Sequence, residues 1–105
     1  MILRLWHGRT TRDKADAYEQ LLRAKAIPGY RAIAGNIEAS ILRRDESDVT
    51  HFITSSLWTS EEAIRGFAGE DVLRAHYYPE DQDFLLEFEP LVQHYVVVAS
   101  ERAPR

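Results

Sequence analysis

Apolar side chains fall along this chain in stretches whose spacing switches between the strand and the helix period. From Ile2 to Arg9 large apolar groups crowd together (Ile2, Leu3, Leu5, Trp6) with poor alternation, which predicts a strand covered on both faces. Thr10 is placed to cap a helix, with Asp13 completing a capping-box pattern, and Ala15, Tyr18, Leu21 and Leu22 share one helical face. Pro28-Gly29 should stop that helix. Asn36 to Arg44 reads as a second strand with Ile37, Ala39 and Ile41 on one face. The polar loop Asp45-Glu46-Ser47-Asp48 leads into a third strand, Val49 to Trp58. One face of this strand carries Phe52, Thr54, Ser56 and Trp58, and the other carries His51, Ile53, Ser55 and Leu57.

Thr59 then caps a helix with Glu62 in the first turn and a buried stripe of Ala63, Ile64, Phe67 and Ala68, ended by Gly69. Asp71 opens a further short helix to Tyr77, closed by Pro79. Glu80 to Glu89 reads as a helical turn plus irregular chain, and Leu91 to Ala99, rich in β-branched residues, as the closing strand. Residues 1–100 form one domain, and Glu101 to Arg105 should fray. The order is strand, helix, strand, strand, helix, strand: an α+β, ferredoxin-like βαββαβ fold with both helices on one face of a four-stranded antiparallel sheet. A first and last strand apolar on both faces would leave the second sheet face bare, so a homodimer packed sheet against sheet is expected.

Composition narrows the chemistry. The chain has 105 residues, enough for one domain and one core, and 45% of them are apolar, which argues against disorder. No apolar run approaches the ~20 residues that span a bilayer, and the N-terminus lacks the pattern of a secretory leader. Cysteine is absent, which rules out disulfides and thiolate catalysis and suits a reducing cytoplasm. With a net charge of −4 and Arg43-Arg44 as the only adjacent basic pair in the body of the chain, no nucleic acid partner is expected. RNA-recognition domains share this element order, but the third strand lacks their basic and glycine residues. His7, His51, His76 and His94 show no chelating spacing, and Gly66 and Gly69 form no phosphate loop, so no metal or cofactor is expected.

Trp6, Tyr18, Phe52, Trp58, Phe67, Tyr77 and Tyr78 come from elements that meet between sheet and helices, as in a pocket for a flat organic ligand, and His76-Tyr77-Tyr78-Pro79 reads as a cap on its mouth or as a surface turn. Trp6, His7, Phe52, Trp58 and Phe67 are the substrate-binding candidates. His76 and Tyr77 are the catalytic candidates. At the end of the last short helix they sit on the pocket rim, where a histidine takes a proton from a phenolic or enolic substrate and a tyrosine bonds the resulting oxyanion. For each residue taken singly, core packing competes with this role.

Trp6-His7-Gly8, Leu57-Trp58-Thr59-Ser60, Phe67-Ala68-Gly69-Glu70-Asp71, Tyr78-Pro79-Glu80-Asp81 and His94-Tyr95-Val96-Val97 together resemble the antibiotic biosynthesis monooxygenase-like family. The resemblance runs from Ile2 to Ala99. It implies a dimeric α/β barrel with a pocket between sheet and helices in each subunit. One branch of that family oxidises polycyclic aromatic substrates with molecular oxygen and no cofactor, the deprotonated substrate itself activating oxygen. Trp6, Trp58, His76 and Tyr77 would serve there. A haem-degrading branch uses an Asn, a Trp and a His, where this chain has Trp6-His7, Phe67 and His76-Tyr77. The Asn and Trp are missing, and His76 is shifted out of register. The resemblance therefore ranks a monooxygenase-like enzyme first, a non-catalytic ligand-binding or structural homodimer second and haem breakdown third.

Overall fold

Four antiparallel strands lie side by side in the order β2-β3-β1-β4, with β1 at Ile2–Thr11, β2 at Asn36–Glu46, β3 at Val49–Trp58 and β4 at Gln93–Val96. The computed structural model describes residues 1–103. One helical rod, α1 (Ala15–Leu21) and α2 (Ile27–Arg31) joined by a π-turn over Leu22–Ala26, follows β1, and α3 (Glu61–Ala68) follows β3. This is the expected α+β, ferredoxin-like arrangement. Trp6, Tyr18, Tyr30, Phe52, Trp58 and Ile64 form the centre of the core between sheet and helices.

Alternation governs the two central strands. In β3, Thr50, Phe52, Thr54, Ser56 and Trp58 are buried, and their neighbours are half-buried on the outer face. β1 alternates just as strictly and is not the doubly apolar strand expected. Arg4, Trp6, Gly8 and Thr10 point inward, and Leu3, Leu5, His7 and Arg9 point outward. Gly8 is there for space, since a Cβ would lie 2.5 Å from the Trp6 ring.

Several boundaries differ from expectation, each for a local reason. Thr10 caps no helix. It pairs with Thr50, and β1 runs to Thr11 because its partner β3 continues to Val49. Pro28-Gly29 does not stop the first helix. The π-turn before it already replaces i→i−4 bonding, so the N–H that proline lacks is lost at the first turn of α2, where proline is tolerated. Ile37 falls in the bulge between Asn36 and Glu38 and leaves the inner face of β2 to Ala39 and Ile41. The β2–β3 loop tightens to Ser47-Asp48. Ser60, not Thr59, caps α3, its Oγ accepting the Ala63 N–H at 3.1 Å. Gly69, at φ +84°, ends α3 as expected.

The helix expected over Asp71–Tyr77 is absent. Residues 70–78 run irregularly because their backbone is engaged from outside. The Arg4 guanidinium donates to the carbonyls of Val72 and Arg74, and Val92 and Ala75 donate across to Leu73 and Pro90. Carbonyls captured in this way are not free to build a helix ladder. Pro79 opens a 3₁₀ turn, Pro79–Asp83, where it was expected to close a helix. β4 is shorter than Leu91–Ala99 because β1, its only partner, begins at Ile2. Val97 makes the last bond, to Met1, and Val98 is 92% exposed. The expected frayed tail falls partly on Pro104 and Arg105, outside the described residues, and Glu101–Ala103 are exposed and irregular. Among the described residues no helix is long and apolar enough to cross a membrane.

Candidate functional site

Tyr18, Leu22, Ala26 and Tyr30 recur every four residues along the first helical rod and all face the sheet. An ideal helix advances by about 100° per residue, so a four-residue spacing drifts by about 40° at each step. The π-turn takes up that drift and brings Tyr30 back over β1 and β3. Trp6 from β1 and Thr54 from β3 face these side chains, and His76, Tyr78 and Asp81 close the remaining side. Together they bound a cleft with about 220 Å³ of empty space including its mouth, of which a water centre reaches about 10 Å³. The interior as folded holds about one water, so a ring enters only when a wall side chain moves, and a cleft filled in this way is what the structural-homodimer reading expects.

Hydrogen bonds fix most of the walls. Tyr18 donates to Asp81 Oδ1 at 2.8 Å, and the Tyr78 N–H donates to Asp81 Oδ2 at 2.6 Å. Burial first, and then the Asp81 charge, hold the Tyr18 hydroxyl well above the ordinary phenol range, so it remains a donor. Tyr30 shares a 2.8 Å hydrogen bond with Thr54 Oγ1. Burial raises its pKa, while Thr54 and the positive charge of Arg4 pull it down. His76 is different. It is exposed at the mouth, packs between the Phe67 ring (5.1 Å) and the Tyr78 ring (5.1 Å), and makes no hydrogen bond among the described residues.

Arg4 lies behind the cleft wall, in contact with Phe67 rather than with the opening. It is buried, with its guanidinium over the Phe67 ring at 5.8 Å. Its partners are neutral acceptors: two backbone carbonyls and His94 Nε2 at 3.0 Å. Its Nε has no partner, and no carboxylate lies within salt-bridge distance among the described residues. Desolvation lowers its pKa from the usual arginine value, and burial together with this cation lowers that of His94. A buried cation without a counter-ion stabilises negative charge placed nearby.

The other candidates separate into three groups. Trp6 lines the cleft, its indole N–H buried and without a hydrogen-bond partner among the described residues. Phe52 and Trp58 are fully buried core. Phe52 packs edge-on against Tyr18, and Trp58 donates to Ser56 Oγ at 2.9 Å. Phe67 stands between core and mouth, 4.7 Å from Tyr30 and 5.1 Å from His76.

His7 lies on the outer face of the sheet, bonded to Glu89 at 2.5 Å and to His51 at 3.0 Å, away from the cleft. Tyr77 also faces away, its hydroxyl donating to the Glu89 carbonyl at 2.5 Å. His76 and Trp6 therefore meet at one cleft, and His7 and Tyr77 do not. Tyr18 and Tyr78 belonged to the aromatic set expected between sheet and helices, whereas Tyr30 and Asp81 on the cleft wall, and Arg4 behind it, were not anticipated. Tyr78 and Asp81 stood in the Tyr78-Pro79-Glu80-Asp81 signature, and the period-two series Arg4, Trp6, Gly8, Thr10 placed Arg4 beside Trp6. No groups of three or more metal-ligating side chains occur among the described residues.

The family model for antibiotic biosynthesis monooxygenase matches residues 1–77. Among solved structures, a "putative antibiotic biosynthesis monooxygenase" from Bacillus cereus superposes with a TM-score of 0.66 at 17% identity, covering 99% of this chain and 97% of that one. One of the same description from Nitrosomonas europaea gives 0.69 at 16% identity, covering 94% and 100%. A mutant of MhuD with two manganese protoporphyrin IX molecules bound per active site gives 0.62 at 14% identity, covering 98% and 100%. At these identities the likeness is one of fold. No curated protein matches the chain in sequence.

Proposed function

The chain belongs to the antibiotic biosynthesis monooxygenase family, and from that premise we propose that it oxidises a small hydroxylated aromatic molecule with molecular oxygen and without a cofactor, in the cleft between helices and sheet. The observation that carries this reading is His76: an exposed imidazole with no hydrogen-bond partner among the described residues, at the mouth of an aromatic cleft. A histidine so placed accepts the substrate's hydroxyl proton. The resulting anion supplies the electrons that reduce oxygen; the buried Arg4 stands behind the Phe67 ring at 5.8 Å, and the Asp81 carboxylate on the cleft wall opposes the charge. In the simplest balanced form a phenol and O₂ give a quinone and water. One ring C–H becomes C=O, the second oxygen atom leaves as water, and all four electrons come from the substrate. Tyr77, held on the Glu89 carbonyl, steadies the segment that carries His76.

The second part of the reading is a homodimer. Leu3, Leu5, Ile53 and Leu57 are half-buried on an outer sheet face that no helix covers among the described residues, continuous with exposed Leu42 and Tyr95. Its apolar centre and charged rim fit a second copy packed sheet to sheet.

Oxygen uptake with a panel of mono- and dihydroxylated aromatics tests the activity. The expected result is protein-dependent uptake of one O₂ per substrate, with His76→Ala slower by about 10²-fold. Turnover unaffected by His76→Ala, or no uptake with any member of the panel, refutes the reading.

A further inference from the structure

On the outer face of the sheet, away from the cleft, two half-buried histidines share one hydrogen bond. His7 comes from β1 and His51 from β3, and His7 Nε2 lies 3.0 Å from His51 Nδ1. The other ring nitrogen of His7 bonds Glu89 Oε2 at 2.5 Å, and His51 Nε2 stands 3.9 Å from Glu46 Oε1, beyond hydrogen-bond reach. An N···N hydrogen bond holds one proton, so one nitrogen donates and the other must be bare. With both rings charged every ring nitrogen is a donor, and the contact becomes one between like charges whose ring centres are 5.3 Å apart.

The charges around the pair are balanced for a single added proton. Facing it are Arg9 on β1, Arg44 and Glu46 on β2, and Glu87 and Glu89 from the chain before β4. Arg9 is paired with Glu87 at 2.6 Å and Arg44 with Glu46 at 3.2 Å, which leaves Glu89 as the one carboxylate of the group without a guanidinium partner among the described residues. Arg43, which also borders the recess beside the pair, spends its guanidinium on Asp16, Glu19 and Asp45. One proton on the pair neutralises Glu89, and a second has no unpaired carboxylate left to answer it.

In the sheet register His7 lies beside Ile53, whose other neighbour is Leu42, whereas His51 lies between Arg9 and Arg44. The pair therefore straddles the border between the apolar centre of the outer face and its charged rim. A second copy packed on that face displaces water from around the pair, and two like charges are tolerated far less without water than with it. Two-fold symmetry brings two such pairs to each dimer.

We propose that the His7–His51 pair makes the sheet-to-sheet homodimer pH-sensitive: the dimer holds while each pair carries at most one added proton, and it separates into folded monomers when acid adds the second. This rests on the dimer reading above and adds its regulation.

Light scattering over a dilution series at about pH 7.5 and about pH 5.5, on either side of the ordinary histidine range, tests the proposal, with far-UV circular dichroism recorded on the same samples. The dissociation constant of the wild type should rise by about tenfold or more at the lower pH, with the native spectrum retained. His51→Gln, which cannot hold the second charge and keeps His76 and His94, should change by about threefold or less. If His51→Gln does not fold, His7→Gln replaces it. An unchanged dissociation constant in the wild type, a rise as large in the variant, or loss of the dimer only together with the native spectrum overturns the proposal and leaves the dimer standing. A monomer at both pH values overturns this proposal and the dimer reading together.

Discussion

Tyr18→Phe isolates the contact that holds the cleft's third wall. The ring stays packed against Phe52 and Phe84, each at 5.3 Å, and only the hydroxyl is lost. Among the described residues that hydroxyl is the sole side-chain donor to Asp81 Oδ1, at 2.8 Å, and both residues are at most 2% exposed. A buried carboxylate oxygen left without its donor costs about 2–3 kcal/mol, the upper part of the range because the acceptor is charged. For a domain of this size that corresponds to a fall in Tm of about 10–20 °C. Urea denaturation should show a lower midpoint with an unchanged slope. Tyr30→Phe is the internal control. It breaks a bond of equal length to a neutral Thr54 hydroxyl and should cost about 1 kcal/mol. A Tyr18→Phe loss below about 0.5 kcal/mol, or one no larger than that of Tyr30→Phe, would show that Asp81 is not anchored as described and that the 76–81 segment is held by other contacts.

Further outcomes follow from the same geometry. Gly8→Ala drives a Cβ into the Trp6 ring at 2.5 Å and should destabilise by about 1–3 kcal/mol in the same urea assay. His94, whose pKa is lowered from 6.5 by burial and by Arg4, binds its proton more readily unfolded than folded. Stability should therefore hold above pH 6.5 and fall as the pH drops below it; His94→Gln should flatten that slope, and an equal slope in both proteins counts against the Arg4–His94 contact. Leu5→Glu and Ile53→Glu, on the uncovered outer face, should convert a dimer to a monomer by light scattering, and a wild type that is already monomeric at micromolar concentration would remove the sheet-to-sheet dimer from the account.

β3 and α3 were legible because their signals are local, whereas the alternation of β1 and the short extent of β4 were set by their partners. β3 declares its two faces by alternation over Val49–Trp58, and α3 its stripe through Ile64 and Phe67. Residues 70–78 were not legible because the contacts that keep them from forming a helix come from Arg4, some seventy positions earlier in the chain. The same distance hid the site's electrostatics, since a lone arginine in an apolar strand reads as an edge residue until β3 and the 72–74 carbonyls close over it. His76 and Trp6 were legible as cleft residues from their place beside buried aromatics. His7 and Tyr77 were not separable from them, because which way a side chain turns in irregular chain, or which face of β1 is inner, depends on packing. The π-turn that aligns Tyr18 with Tyr30 left no mark beyond the four-residue spacing itself.

The central claim is that the cleft under the first helical rod binds a small hydroxylated aromatic molecule. Titrating isotope-labelled protein with phenol while following the Trp6 indole and the ring signals of His76, Tyr78 and Tyr30 tests it most directly. The account predicts saturable shifts concentrated on these four residues, with Trp58 and the outer-face pair His7 and His51 unmoved. Shifts confined to His7, His51 and Ile53, or no saturable shift at all, would contradict it.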